Sequence, residues 1–178
     1  MYTDSQIHDW ILECDGSTRD VTFMPVERVR VFTLLQHLLA DYDVVSVSDN
    51  DGNDRRTDIS NSSILAGHSG YLHLVLDSSA SLIRRLQAFV DWDESEPGYC
   101  IEISFFPDEL DMTKFSLAMF QDLIEDWNSV LESPDYFVRF ENASWKLYDT
   151  NDLGVIYTRL THPRTNKMLD RSGGPTAS

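Results

Sequence analysis

The sequence has few basic residues and no long hydrophobic run, and each shortage excludes a class of partner. Its 14 lysines and arginines stand against 30 aspartates and glutamates, which gives a formal net charge of −16. Phosphate binding depends on lysine and arginine, so this chain repels nucleic acids and anionic membranes. No stretch approaches the roughly 20 apolar residues of a membrane span. We expect neither nucleic acid nor membrane as a partner and favour a cationic one, although solubility alone also explains an acidic composition.

Cysteine is scarce as well. Cys14 and Cys100 are far apart and share no motif, so two free thiols in a reducing cytosol are the simpler interpretation, with a disulfide left open. The N-terminus, from Met1 to Asp4, lacks the basic start and apolar run of a secretory signal. We therefore predict a cytoplasmic protein.

Apolar residues are abundant enough for a folded core. Hydrophobic residues make up 42% of the 178 residues and aromatics 11%, which argues against disorder despite the high charge. We predict a single domain over residues 1–162. The segment 163–178, which contains Gly173-Gly174-Pro175, is predicted to be a flexible C-terminal tail.

Apolar spacing predicts three helices. The first follows Pro25, and the second spans residues 79–91. The third runs from a cap at Asp111 or Thr113 to Pro134. Alternating or β-branched segments predict strands at residues 20–24, 43–48, 71–76, 99–106, 136–140, 145–148 and 155–160, with a further candidate at 10–13.

The two kinds of element do not alternate strictly along the chain. An α+β fold is therefore expected, with a mostly antiparallel sheet and about three helices packed on one face. Residues 49–70 form a long polar loop in this interpretation.

The segments that resemble catalytic or metal-binding motifs do not have the residue spacing that those motifs require. Residues 49–54 resemble part of a calcium loop, but Gly52 falls at position 4 instead of 6. In Gly67-His68-Ser69-Gly70 the second glycine is one place early for a nucleophile elbow. His68 and His73 are five residues apart, which puts them on opposite faces of a strand. We predict no catalytic residue, no metal site and no cofactor, with His73 a partly buried, hydrogen-bonded side chain.

Glu102 lies among apolar neighbours on a predicted strand. The alternation of Ile101, Ile103 and Phe105 with Glu102 and Ser104 predicts that Glu102 points to solvent. Burial would instead raise the pKa of its carboxyl group, and acid–base work by pairs of carboxylates stays open.

The acidic charge is concentrated in one region. Residues 86–138 contain thirteen acids and one base, which accounts for −12 of the net charge. Acids flank aromatic residues in what we expect to be an exposed helix-to-strand loop, and a second acidic group falls at i, i+3 and i+4 on the third helix. We predict that a protein partner with a basic surface binds Asp91, Trp92, Asp93, Glu94, Glu96, Tyr99, Asp122, Glu125 and Asp126.

The chain resembles a class of bacterial proteins in its last third. The segment Tyr136-Phe137-Val138-Arg139-Phe140-Glu141-Asn142-Ala143-Ser144-Trp145, followed by Gly154-Val155-Ile156-Tyr157, resembles the immunity proteins that bacteria carry against their own polymorphic or contact-dependent toxins. This resemblance implies a small cytoplasmic protein that binds a cognate toxin domain, such as a basic nuclease, and blocks its active site or substrate path.

Three other functions stay open at this point. An acidic secretion or effector chaperone would need an exposed apolar groove and usually a dimer. A nucleic-acid mimic would need carboxylates spaced like phosphates. An uncharacterised hydrolase would need a deep pocket with paired carboxylates or His68. The sequence leaves the oligomeric state open.

Overall fold

The computed structural model describes residues 2–95, 98–141 and 154–159. Within these ranges the chain forms one seven-stranded sheet and three α-helices. The strands are β1 (Arg19–Val26), β2 (Asp43–Asp49), β3 (Ser69–Asp77), β4 (Arg85–Asp93), β5 (Tyr99–Phe105), β6 (Tyr136–Phe140) and β7 (Val155–Thr158). The helices are α1 (Asp4–Leu12), α2 (Arg28–Asp41) and α3 (Leu117–Leu131).

The strands lie in the order β2-β3-β4-β5-β1-β6-β7, and every neighbouring pair is antiparallel. The predicted α+β class is confirmed. The helix that follows Pro25 corresponds to α2, and six of the predicted strands correspond to β1, β2, β3, β5, β6 and β7 with small changes of boundary. The predicted strand at 145–148 and the tail at 163–178 lie outside the described residues.

The two faces of the sheet differ in character. One face packs under the helices, and its apolar side chains include Phe23, Leu74 and Ile103, all essentially inaccessible to solvent. We call the opposite side the distal face. Because side chains alternate along a strand, the distal face carries the side chains between these apolar residues, among them Thr22 and Glu102.

The segment predicted as a second helix is strand β4, so that prediction was wrong. Leu86, Ala88, Val90 and Trp92 are buried in strict alternation with more exposed residues. The segment is hydrogen-bonded on both sides, to β3 and to β5. The local apolar pattern of such a short run is compatible with a helix or with a strand. Pairing with the two flanking strands makes this segment a strand.

The prediction of a strand at residues 10–13 was also wrong, because most of this segment belongs to α1. Thr3 caps the helix and accepts a hydrogen bond from the backbone N–H of Gln6, whose side chain accepts in turn from the Thr3 N–H. This capping box is readable in the sequence as Thr-x-x-Gln. Ile7 and Ile11, four residues apart, are the buried face of the helix.

Helix α3 begins later than predicted. Its cap is Ser116, which accepts from the N–H of Met119, rather than Asp111 or Thr113. Asp111 and Thr113 instead bond to each other in the preceding turn, where these bonds help to lower the Asp111 pKa to about 2. Phe120 of this helix is buried in the core, whereas Met119 is exposed.

Residues 49–70 are less open than the predicted polar loop. Two short 3-10 helices, Arg56–Asp58 and Ser62–Leu65, interrupt the segment, and Ile64 and Leu65 pack into the core. Asp49 accepts hydrogen bonds from the backbone of Asp51 and Asn53 in a tight turn, so the stretch that resembles a calcium loop is a self-bonded turn.

Cys14 and Cys100 are both free thiols, as the simpler interpretation of the sequence predicted. None of the helices in the described ranges combines the length and apolarity needed to span a membrane.

Candidate functional site

The sheet separates the predicted partner-binding residues into two groups. Asp91 and Asp93 project from the distal face of β4, because Val90 and Trp92 between them are buried on the helix side. The acids of α3 lie in the helix layer. One flat partner surface therefore contacts only one of the two groups. Glu96 lies outside the described residues.

Trp92 does not stand in an exposed helix-to-strand loop, as the sequence suggested. It lies in β4, 7% exposed, and stacks on Tyr99 of β5 with ring centroids 5.5 Å apart. Gly70, directly opposite on β3, leaves room for the indole, because a Cβ there would lie 2.0 Å from the ring. The Tyr99 hydroxyl donates to the Leu65 carbonyl at 3.0 Å. Both aromatics thus hold the β4–β5 hairpin to the core.

The charged end of this hairpin is exposed. Asp93 accepts from the Ser95 N–H at 2.8 Å, and hydrogen bonds from Ser95 lower the Asp93 pKa. Glu94 contacts His68 Nδ1 at 2.5 Å, and the His68 side chain is 90% exposed. His68 is therefore a surface residue and does not sit in the deep pocket that the hydrolase alternative requires.

The acids of α3 bind partners within the fold. Glu125 accepts from the Tyr136 hydroxyl at 2.8 Å and lies 3.5 Å from Arg159 Nε. Asp126 contacts His37 Nε2 of α2 at 2.8 Å. Asp122 is half-buried on the same helix. These contacts connect α3 to α2, to β6 and to the residue that follows β7, which is a structural role for Glu125 and Asp126.

Glu102 is buried, so the prediction that it points to solvent was wrong. Its Oε2 accepts from Thr22 Oγ1 at 3.0 Å and from Arg139 Nη2 at 2.6 Å. Asp20 lies beside this pair and accepts from Thr18 Oγ1 at 2.8 Å. Burial raises the pKa of both carboxyl groups, and Asp20 raises that of Glu102 further. Desolvation and the second carboxylate outweigh the single guanidinium.

Half-exposed rings lie next to this buried cluster on the distal face. His73 of β3 stacks on Phe89 of β4 with centroids 4.5 Å apart and planes 7° apart, and Tyr71 lies 6.2 Å from Phe89. We call Tyr71, His73 and Phe89 the aromatic patch. His73 Nε2 also contacts Gln87 Oε1 at 2.8 Å, which confirms the predicted partly buried, hydrogen-bonded histidine.

Two carboxylates, Glu102 and Asp91, lie close to the aromatic patch. Burial raises the Tyr71 pKa, and the charges of Glu102 and Asp91 raise it further. Burial raises the pKa of Cys100 to about 12, and the charges of the same two carboxylates contribute to this increase. Sequence reasoning missed the patch because the segment that carries Phe89 was interpreted as a helix. The signal was present in the alternation of residues 85–93.

Comparisons with known proteins give one informative result. No protein-family model and no curated protein matches the chain. Its fold is similar to that of a chain in the crystal structure of the toxic C-terminal tip of CdiA from Pseudomonas aeruginosa in complex with immune protein. The two chains share a fold. The TM-score is 0.56 at 13% identity, over 80% of this chain and 94% of that chain, and at such low identity the match extends to the fold alone.

Proposed function

We propose that this protein is a bacterial immunity protein, which binds a cognate toxin domain in the cytoplasm and blocks its active site or substrate path. The observation that carries the proposal is the fold shared with a chain of a toxin–immune protein complex, over nearly all of that chain. The resemblance of residues 136–145 to immunity proteins points the same way.

The charge of the chain supports the inhibitor role over the toxin role. A toxin that acts on nucleic acid needs a basic surface, whereas the inhibitor of such a toxin gains from an acidic one. The net charge here is −16, and exposed carboxylates such as Asp91 and Asp93 lie on the distal face. The expected partner is therefore a cationic toxin domain.

Growth under co-expression tests the proposal. Sequencing of the neighbouring genes comes first, and the probe is the C-terminal domain of a large open reading frame found directly upstream, expressed from an inducible promoter. We expect that domain to arrest growth, this protein to restore growth and the two to co-purify. Growth arrest by this protein alone would overturn the proposal, and so would a failure to bind and protect.

Association kinetics test the electrostatic part of the proposal. Asp93→Lys and Glu94→Lys reverse two exposed charges at the hairpin end. We expect the association rate with the toxin domain to fall roughly 3–10-fold at low salt, since charge steers encounter. The difference should shrink as the ionic strength rises. An unchanged association rate at low salt would exclude the hairpin end from the encounter.

A further inference from the structure

We infer that the toxin docks on the distal face and places an arginine side chain on the Phe89 ring, beside the Asp91 carboxylate. This inference rests on the proposed function and names the surface and the chemistry of the contact. We expect the aromatic patch to contribute most of the binding energy. The predicted residues Trp92 and Tyr99 pack into the core instead.

The geometry of the aromatic patch suits a planar cation. The Phe89 ring of β4 stacks on the parallel His73 ring of β3, and the Tyr71 ring of the same strand β3 lies farther from it. All three side chains are half-buried, and no helix in the described part of the chain packs over them. Held between neighbours, such rings contribute binding energy at little further cost in side-chain entropy.

Two carboxylates lie next to the aromatic patch, where a docking guanidinium would be close to them. In the strand register Asp91 lies opposite Tyr71, and Glu102 lies opposite Phe89. Asp91 is exposed, whereas Glu102 is buried against Arg139. An arginine that covers Phe89 can therefore donate to the exposed Asp91 carboxylate, whereas Glu102 is already paired with Arg139. A guanidinium stacks on aromatic rings and pairs with carboxylates at once, which a lysine ammonium does less well.

The α3 acids fit such a partner less well. Asp126 and Glu125 already contact His37, Tyr136 and Arg159, so a docking cation would have to compete with these groups. The carboxylate of Asp91 is free of such competition within the β3–β4 pair, where its cross-strand neighbour is an uncharged tyrosine. Charge and ring therefore coincide on the distal face.

Two substitutions at Phe89 test the ring. Phe89→Leu keeps an apolar side chain but removes the π face, and we expect the Kd for the toxin domain to rise about tenfold. Phe89→Tyr keeps the ring and should retain the wild-type Kd. Urea unfolding of both variants checks that the half-buried position still supports the fold. Equal affinity of the leucine variant and the wild type would overturn the inference.

Charge reversal at exposed positions tests the surface without changing the core. Asp91→Lys should weaken binding at least tenfold, because it places a like charge against the docking cation. Asp9→Lys is the matched control: Asp9 is 72% exposed on α1, in the helix layer, and the Kd should stay unchanged.

The Asp126→Lys variant distinguishes a wrong docking surface from a wrong proposed function. If Asp126→Lys weakens binding and Asp91→Lys does not, the toxin docks on the helix layer, so this inference is wrong while the immunity function stands. If the wild-type protein binds no toxin domain at all, the proposed function itself is wrong.

Discussion

At the residue scale, the most informative side chain is Glu102. Its position in an alternating strand predicts solvent exposure, yet it is buried on the distal face with Thr22 and Arg139 as partners. Two carboxyl groups, Glu102 and Asp20, lie near the guanidinium of Arg139, and burial raises the pKa of both. Such a cluster makes stability depend on pH.

The Glu102→Gln variant should lose part of that pH dependence. Burial and Asp20 raise the Glu102 pKa, so the folded protein binds this proton more tightly than the unfolded chain. The resulting stabilisation is complete below the ordinary carboxyl pKa and disappears as the pH rises through the raised value. Glutamine has no such proton. We therefore expect the stability of the variant relative to the wild type to increase as the pH rises from the ordinary carboxyl pKa of about 4.3 through the raised pKa of Glu102.

Urea unfolding across this pH range measures the difference. Glu13→Gln is the control, because the side chain of Glu13 is exposed and the same chemical change there should leave the pH profile as it is. A constant difference between Glu102→Gln and the wild type at every pH would contradict the raised pKa.

At the element scale, the pairing of β3 with β4 determines which side chains of β4 face the core and which lie on the distal face. The same strand β4 buries Trp92 toward the helices, and on the distal face it leaves Phe89 half-buried and Asp91 exposed. Gly70 on β3 makes this arrangement fit, since any Cβ there would overlap the indole. The backbone of Gly70 is not in the left-handed region, so its lack of a side chain matters through packing alone.

The Gly70→Ala substitution should destabilise the protein by about 1–3 kcal/mol, because the Trp92 ring must move out of a packed position. In a Trp92→Leu background the same substitution should cost much less, since the overlapping atoms are gone. A double-mutant cycle by urea unfolding measures this coupling. Equal costs in both backgrounds would show that Gly70 serves some other purpose.

At the scale of the whole molecule, the acidic charge is distributed on both sides of the sheet. The distal face has Asp91 and Asp93, and the helix layer has the α3 acids, which are paired internally with His37, Tyr136 and Arg159. A net charge of −16 in a chain of this length also opposes compaction through self-repulsion.

Salt should therefore stabilise the protein in isolation. Raising the ionic strength from about 0.01 M to about 0.1 M shortens the Debye length from ~30 Å to ~10 Å and screens the repulsion between carboxylates. We expect the urea midpoint at neutral pH to rise over this range. Near the sequence pI of about 4.4 the effect should vanish, and a midpoint that falls with salt at neutral pH would contradict dominant self-repulsion.

The local pattern of the sequence determined much of this architecture. The apolar stripe after Pro25 and the alternation in residues 99–106 depend only on neighbours within a few positions, so α2 and β5 were predictable. The capping box at Thr3 was equally local and could have revealed α1. Composition likewise determined the net charge, from which a cationic partner was predicted.

Tertiary structure decided the features on which the proposed function depends. Whether residues 85–93 formed a helix or a strand depended on pairing with β3 and β5. Glu102 is buried because register places it between Thr22 and Phe89 and within reach of Arg139, 37 residues away. The aromatic patch exists because two strands align Tyr71 and His73 with Phe89. Contacts between residues distant along the chain depend on register across the sheet, which no local periodicity encodes.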